Sequence, residues 1–509
     1  MDGSIATDLD RPRPSSLGRP SIGQGFERIL ERVDPALIGL FFFVVALGIY
    51  YFSDPARSGF YNHFVWQADA FLHGRFAISY PVLDGPYTNG YFQDVMPLPA
   101  TPGGLSYALL PFPPLPAVLL MPFVAIFGLA TNSQLFGVFL GAINVALAWR
   151  MTMRLTDRRA VAVLATIFFG FGTVAWYASM LSTTWFLAHV VALTFTLLAI
   201  TLALDGERRE RALALAGAVT AGVSGGRTAG SSGSGSSGNT VVAALEGSSL
   251  FLSWYRRARP YFEPVQFMAG FVFGVAVLAR LTVIFAAPFF LFVGPGGSIG
   301  KRGVSAALGA LIPVALLLVY NLLSSGHIFN PVYDYLYHSE YLGYMPPGFE
   351  INTNLSIEDI GHIPLNLLIM LGWPPQFAPN GVDCGLSLLN PDCPVLRPSQ
   401  IGMSVLLTSP AYLLAVPLVI RHWRQRIVLG ATLAIVAVAF VNLMHFSQGW
   451  VQFGYRFSND FAPFALILVT LAIAWLSRRS IGAIVSVGLV ALSVLINAWG
   501  VYWGVTLGW

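Results

Sequence analysis

DPARSGFYNHFVWQADAFLHGRFAISYPVLDGPYTNGYFQDVMPLPATPGGLSYALLPFPPLPAVLLMPFVAIFG, residues 54–128, follows the first apolar run of the chain and is not itself a clean membrane span. Asp54, Asp69, Asp84 and Asp94 all lie in it, among many aromatic residues. A chain this apolar needs only a turn of a few residues between two spans. A long acidic, aromatic loop on one side of a membrane points instead to a site.

Composition sets the class. Hydrophobic residues make up 55% of the 509 positions and charged residues only 10%, against about 25% charge in a soluble domain. Apolar runs long enough to cross, roughly 20 residues each, recur along the chain. This composition defines an all-α polytopic membrane protein with membrane lipids as neighbours. The net charge of +4 is small, and the basic residues fall mostly in loops as orientation signals, so there is no nucleic-acid footprint.

Residues 1–34 are polar and carry Pro, Ser, Arg11, Arg13, Arg19, Arg28 and Arg32, the pattern of a disordered cytoplasmic segment. The apolar run 35–52 follows without a small-residue cleavage site and reads as a retained signal anchor. Positive charge ahead of it puts the N-terminus inside and the Asp54 loop outside. Within the first loop (53–128), residues 60–73 have helical period. Phe60, Phe64, Ala68, Phe71 and Leu72 form an apolar stripe, and Asn62, Trp66, Asp69 and His73 share the other face. Gly74 is a stop signal. The pattern predicts an amphipathic helix lying on the membrane surface.

The apolar stretch 105–128 carries Pro111, Pro113, Pro114, Pro116 and Pro122, which break a regular span. If it crossed, the arginines at 154–159 and 205–211 would land outside. If it does not, both land inside with Lys301, Arg302, Arg421, Arg426, Arg478 and Arg479. It therefore reads as a juxtamembrane or re-entrant element. The spans expected after 35–52 are 133–152, 159–178, 183–204, 264–280, 282–294, 303–323, 402–420, 427–446, 459–477 and 480–503, about eleven crossings in all. They group into an N-terminal module (35–204), central helices (261–323) and C-terminal helices (402–509). Between them lie a cytoplasmic loop (205–260) with the flexible stretch SGGRTAGSSGSGSSGN and a second outside loop (324–401).

That second loop is rich in Tyr, including Tyr333, Tyr335, Tyr337, Tyr341 and Tyr344, and holds both cysteines, Cys384 and Cys393. An even pair in an oxidising compartment points to a disulfide. Two free buried thiols are the alternative. C-x8-C with no nearby His is poor zinc spacing.

Several motifs carry a family resemblance. ADAFLHGRF (68–76) followed by LSYALLPFPPLPAVLLMPFVAIFG (105–128) resembles the first extracytoplasmic loop of bacterial glycosyltransferases of the GT-C superfamily, in the protein-mannosyltransferase and aminoarabinose-transferase branch (family 39). GFVFGVAVLARLTV (270–283) resembles that family's G-x-x-x-G-x-x-x-x-x-R helix. LVYNLLSSGHIFNPVYDY (318–335) resembles the opening of its second large loop, and QFGYRFSNDFAPF (452–464) its late periplasmic turn. The resemblance implies a GT-C-like fold with two large extracytoplasmic loops carrying juxtamembrane helices. It implies a polyprenyl-phosphate-linked sugar as donor and a glycan, lipid or protein acceptor on the outer face. The sugar inverts, with a first-loop aspartate as general base and cationic side chains holding the leaving phosphate. No cofactor is required by the sequence, and a divalent metal stays open.

The family has an acidic pair ahead of the surface helix, a register that here falls on Gly59 and Phe60. The base is therefore displaced to Asp94, Asp69 or Asp54, with Asp94 placed first because it sits in QDVM just before the Pro-rich element. Arg280, Arg456 and Tyr455 are the expected phosphate-binding residues. Trp66, His73 and Tyr107 are the expected acceptor or sugar contacts. Each has a plainer reading: Asp54 and Asp94 as turn caps, Asp69 as a solvated partner of His73, Arg280 as a snorkelling residue, and the loop aromatics as an interfacial belt. An ionisable group among some 30 mostly apolar residues, as Arg280 is, marks function by default, and Arg456 lies outside against the positive-inside rule. The rival class is a transporter or lipid flippase. It predicts internal repeats, and the two halves show none.

Overall fold

The computed structural model of the chain describes residues 22–54, 61–79, 94–99, 106–225, 261–339, 354–383, 385–449 and 451–509. Among these, six helices are long and apolar enough to cross a membrane: Pro35–Ser53, Ser133–Leu155, Thr184–Ala216, Ile299–Ser325, Arg426–Met444 and Ser480–Thr506. A seventh crossing forms if Arg159–Phe171 and Ala175–Leu181, bent by 48°, act as one span. Local chemistry starts several of them. Asp34 accepts from Ala36 N at 2.7 Å ahead of Pro35, and Asn132 accepts from Leu135 N at 3.0 Å.

Four further runs expected to cross hold shorter helices: Pro264–Val277, Leu281–Phe292, Pro410–His422 and Ala462–Leu476. A 15-residue helix covers about 22 Å, less than the roughly 30 Å of a hydrocarbon core. Helix length alone thus supports six or seven crossings, not eleven. Leu115–Phe127 is also short, with 13 residues and Pro122 inside. Its Leu120 and Val124 are buried, while Phe123, Ile126 and Phe127 are exposed.

Two termini of the predicted spans move. The expected end at 204 is overrun, because the Thr184–Gly225 helix has 42 residues. Residues 207–215 are Glu, Arg, Ala and Leu, all good helix formers, and Glu207 pairs with Arg211 one turn on at 2.5 Å. Residues 226–260, with most of the Gly/Ser stretch, lie outside the described residues. At the N-terminus, Ile22–Glu31 is helical rather than disordered. Glu27 accepts from Arg159 N at 2.5 Å and Ala160 N at 2.9 Å, so its carboxylate caps the start of the Arg159–Phe171 helix.

The first-loop helix is His63–Leu72, and Phe60 lies outside the described residues. It ends as predicted at Gly74, with φ +69°, Arg75 N bonding Ala70 O at 2.8 Å and Gly74 N bonding Phe71 O at 3.0 Å. The expected amphipathic exposure is not what the structure shows. His63 through Ala68 are all buried, on both faces of the helix. Its polar side chains find partners inside the protein: His63 Nδ1 lies 2.7 Å from Thr184 Oγ1, and Gln67 Nε2 donates to the Tyr320 hydroxyl at 2.8 Å. An interfacial helix turns its polar face to water. This one packs against the Leu115–Phe127 helix and hydrogen-bonds Thr184 and Tyr320.

Small sheets qualify the all-α expectation, and only in the loops. Ile78–Ser79 and Met96–Pro97 flank Tyr107–Leu109 antiparallel, with Ile78 opposite Ala108 and Met96 opposite Leu109. In the second loop Gln376–Phe377 pairs with Leu396–Arg397. The Val332–Ser339 and Ile363–Gly372 helices also belong to this loop. Asn366 Nδ2 ties the latter to Leu443 O and His445 O at 2.8 Å each. Cys393 is 2% exposed and disulfide-bonded. Cys384, the other cysteine of the sequence, lies outside the described residues. Mass spectrometry without reduction should recover the peptides of Cys384 and Cys393 as one linked species, and recovery of both as alkylated thiols would refute the pairing.

The glycines of the G-x-x-x-G motif pack helices. A Cβ at Gly270 would stand 2.0 Å from Ala306 O, and one at Gly309 2.0 Å from Phe267 O, so the Pro264–Val277 and Ile299–Ser325 backbones touch. Gly270→Ala should lower the unfolding temperature in detergent, by an overpacking cost of about 1–3 kcal/mol. Gly48→Ala, where nothing lies within 4 Å, should not. Equal unfolding temperatures would show that the two helices separate freely.

Candidate functional site

Asp460, 3% exposed, lies in the turn before the Ala462–Leu476 helix. A bare carboxylate there would be costly, and four side chains from elsewhere satisfy it. Arg280 grips it with both edges of its fork, Nε at 3.2 Å and Nη2 at 2.9 Å. Thr282 Oγ1 donates at 2.7 Å, Asn442 Nδ2 at 3.3 Å, and His189 Nδ1 lies 2.7 Å from Oδ1. This places Arg280 just after the Pro264–Val277 helix, where the family motif predicts it, but largely committed to Asp460.

From Arg280 a run of aromatic rings leads to Arg456. Phe457 lies 5.2 Å from the Arg280 guanidinium carbon and 5.5 Å from that of Arg456. Arg456 also faces Phe186 at 5.5 Å and Trp185 at 6.0 Å. Trp185 Nε1 then donates to Asp94 Oδ2 at 2.6 Å. Asp94 is 7% exposed and Asp54 8%. Tyr177 lies within electrostatic reach of both Asp54 and Arg456. The structure thus links Asp94 of the first loop through Trp185 to Arg456 and, through Phe457, to Arg280, while Asp54 is a buried acid whose field reaches Tyr177. Tyr455 is fully buried beside Phe457, and its hydroxyl has no hydrogen-bond partner among the described residues.

The second loop closes on the same cluster. Burial pushes the Tyr333 phenol up to about 12; Arg280 opposes the rise, Asp94 adds to it and Arg456 opposes it. Tyr333 therefore feels the field of both cations and of Asp94.

Asp69, His73 and Tyr107 form a different group. Asp69 is partly exposed, 3.5 Å from His73 Nδ1 and 3.8 Å from Arg75, whose guanidinium stands 5.4 Å over the Tyr107 ring. Trp66 is buried against His63, ring centres 5.0 Å apart, and His63 lies 5.9 Å from Trp185.

Backbone strain gathers at the same place. Tyr61, Asp94 and Ser182 are three of the five non-glycine residues with positive φ among those described. Tyr61 O accepts from Thr184 Oγ1 at 2.5 Å, Ser182 precedes Thr184 by two residues, and Asp94 bonds Trp185. Left-handed backbone at non-glycine positions costs of order 1 kcal/mol and persists where the surroundings impose it, commonly at functional sites.

Sequence reasoning missed Asp460, His189 and Trp185. The first two carry a signal, as ionisable residues in or beside long apolar runs that need a buried partner. Trp185 has none, because a tryptophan at a span terminus reads equally as an interfacial anchor. Among the described residues, no group of three or more His, Cys, Asp or Glu is placed to hold a metal ion.

No protein-family model matches the sequence, and no curated protein matches it significantly. Among solved structures, the chain is similar to the archaeal oligosaccharyltransferase AglB from Archaeoglobus fulgidus, solved with an inhibitory peptide and a dolichol-phosphate. Identity is 11% and the TM-score 0.41, over 90% of this chain and 55% of that one, so this chain spans about half the length of that protein. A likeness at this level carries no statement about fold or activity.

Replacing Asp460 by Asn would leave Arg280 and His189 around a neutral amide. Loss of one partner of a buried ion pair typically costs about 3–5 kcal/mol. Asp460→Asn should therefore lower the unfolding temperature in detergent far more than Asp69→Asn, whose carboxylate is solvated. Equal effects would mean that the Asp460 cluster does not hold the helices together.

Proposed function

We propose that the chain is a membrane glycosyltransferase of GT-C type, resident in the cell inner or plasma membrane with its N-terminus cytoplasmic and about eleven crossings, the shorter helices completing them. It transfers a sugar from a polyprenyl-phosphate donor to an acceptor hydroxyl on the outer face. The observation that supports this reading is the link from the buried first-loop acid Asp94 through Trp185 to Arg456 and, through Phe457, to Arg280 at one end of the helix bundle.

Each part has a role in that chemistry. A carboxylate removes the proton of the attacking hydroxyl as the new C1–O bond forms. The C1–O bond to the phosphate breaks on the opposite face, and the phosphate leaves with the electron pair, so the anomeric centre inverts. Asp94 is the preferred base. Its bond from Trp185 fixes one oxygen, and its backbone is held in an imposed conformation. Asp54 is the second candidate. The solvated, paired setting of Asp69 suits a base less well. Arg456 is the principal phosphate ligand in this reading. Arg280, committed to Asp460, positions the cluster and adds field, and Tyr455 and Tyr333 supply neutral donors. Trp66 lies closest in the chain of rings to a sugar platform, with His73 and Tyr107 set apart around Arg75.

The test is sugar transfer from a radiolabelled polyprenyl-phosphate sugar by the reconstituted protein. Asp94→Asn should cost about 10²–10⁴-fold, the usual loss with a general base, and Asp69→Asn should stay near full activity. Arg456→Ala should weaken donor binding by about ten- to hundredfold, the worth of one charge-assisted bond, and more than Arg456→Lys, which keeps the charge but loses the fork. Full activity in both Asp94→Asn and Asp54→Asn would remove the base from this cluster.

A further inference from the structure

The opposite end of the bundle holds a second cluster that this chemistry does not use. Four arginines, Arg154, Arg208, Arg211 and Arg426, line a small cleft open to solvent, together with the acid Glu207. They come from three helices: the last turn of Ser133–Leu155, the extended part of Thr184–Gly225 and the first residue of Arg426–Met444. Leu204, Phe292 and Ile427 form an apolar wall of the same cleft.

The arginines are held in place rather than loose. Arg154 Nε bonds Asp205, and Arg426 donates to Phe292 O at 2.8 and 3.0 Å and lies 3.6 Å from Glu207. Arg211 pairs with Glu207 at 2.5 Å and Arg208 with Asp157 at 3.5 Å. Each guanidinium has five N–H groups and spends only one or two of them here. With Arg150, Arg154, Arg208, Arg211 and Arg426 set against Asp205, Asp157 and Glu207, the cluster keeps a positive excess.

We propose that this cleft binds the phosphate of an anionic phospholipid from the cytoplasmic leaflet. Two features favour a lipid over a free phosphate. The cleft pairs a cationic wall with an apolar one, matching a headgroup joined to acyl chains. It also lies at the level where spans end on the arginine-rich side, which is the cytoplasmic face under the positive-inside rule. Basic pockets between helices at that level are the usual setting for anionic headgroups. The continuation of the Thr184–Gly225 helix past the span supplies two of the four arginines, which gives the long helix a task beyond crossing.

The test uses the full-length protein in detergent, equilibrated with equal amounts of phosphatidylglycerol and phosphatidylcholine, with retained lipid counted by native mass spectrometry. Phosphatidylglycerol should be retained several-fold over phosphatidylcholine, and high salt should lower its retention selectively. The double variant Arg208→Gln/Arg211→Gln should bring the two lipids close to equal retention, and Arg208→Lys/Arg211→Lys should keep most of the preference. Both arginines are 42% exposed at the side chain, so the unfolding temperature should change little. Equal retention of the two lipids, an unchanged preference in the Gln variant, or salt-insensitive retention would overturn the proposal. Displacement of the lipid by glycerol phosphate at equal concentration would show that the cleft takes a free phosphate and would overturn the lipid assignment. None of these readouts depends on sugar transfer.

Discussion

A buried carboxylate must be neutralised where it lies, and in this protein the Asp460 carboxylate is neutralised by chain segments far apart in sequence. Arg280 and Thr282 reach it from beyond the Pro264–Val277 helix, His189 from the Thr184–Gly225 helix and Asn442 from the Arg426–Met444 helix. Desolvation makes the assembly all-or-none, since each partner withheld leaves a charge or donor stranded in a low-dielectric setting. The position of Arg280, and through Phe457 that of Arg456, follows from this one group.

The Thr184–Gly225 helix sets the scale on which the two ends are separated. Thr184 at one end meets His63 of the first loop, and Asp205 at the other accepts from Arg150 and Arg154. The two positions are 21 residues apart, about 31 Å at 1.5 Å per residue, matching the hydrocarbon core of a bilayer. Polar clusters at both ends with an apolar stretch between them are what a membrane imposes, because lipid offers no partner for a polar side chain. The acidic and aromatic cluster and the arginine cleft are thus separate sites on one helix.

The first loop shows how the interior is filled. The His63–Leu72 helix brings His63, Trp66 and Gln67 into the protein, and the Leu115–Phe127 helix lies against it and is tied to the end of the Pro264–Val277 helix by Leu115 N bonding Leu278 O at 3.0 Å. A loop folded inward in this way carries its aspartates to the cations instead of leaving them in water. Asp94 and Asp54 are buried by that route, whereas Asp69, near the helix end, stays with Arg75 and His73 at the surface.

Composition and apolar run length alone determined that the chain is helical and crosses a membrane, since charge at 10% over 509 residues leaves no other way to bury so much apolar surface. The stop at Gly74, the proline-broken element at 105–128 and the special standing of Arg280 and Arg456 were also legible, because each rests on a local property: a left-handed backbone, a missing N–H, a charge in an apolar run. Tertiary structure decided the rest. Periodicity shows that the first-loop helix has two faces but not that both are buried, because a buried polar face looks like a wet one until its partners, Thr184 and Tyr320, are in place. Spacing could not connect Asp460 to His189, 271 positions away, nor tell that Asp94 is buried while Asp69 stays partly exposed. Those choices depend on which side chains the fold removes from water together, and that is a property of packing rather than of sequence order.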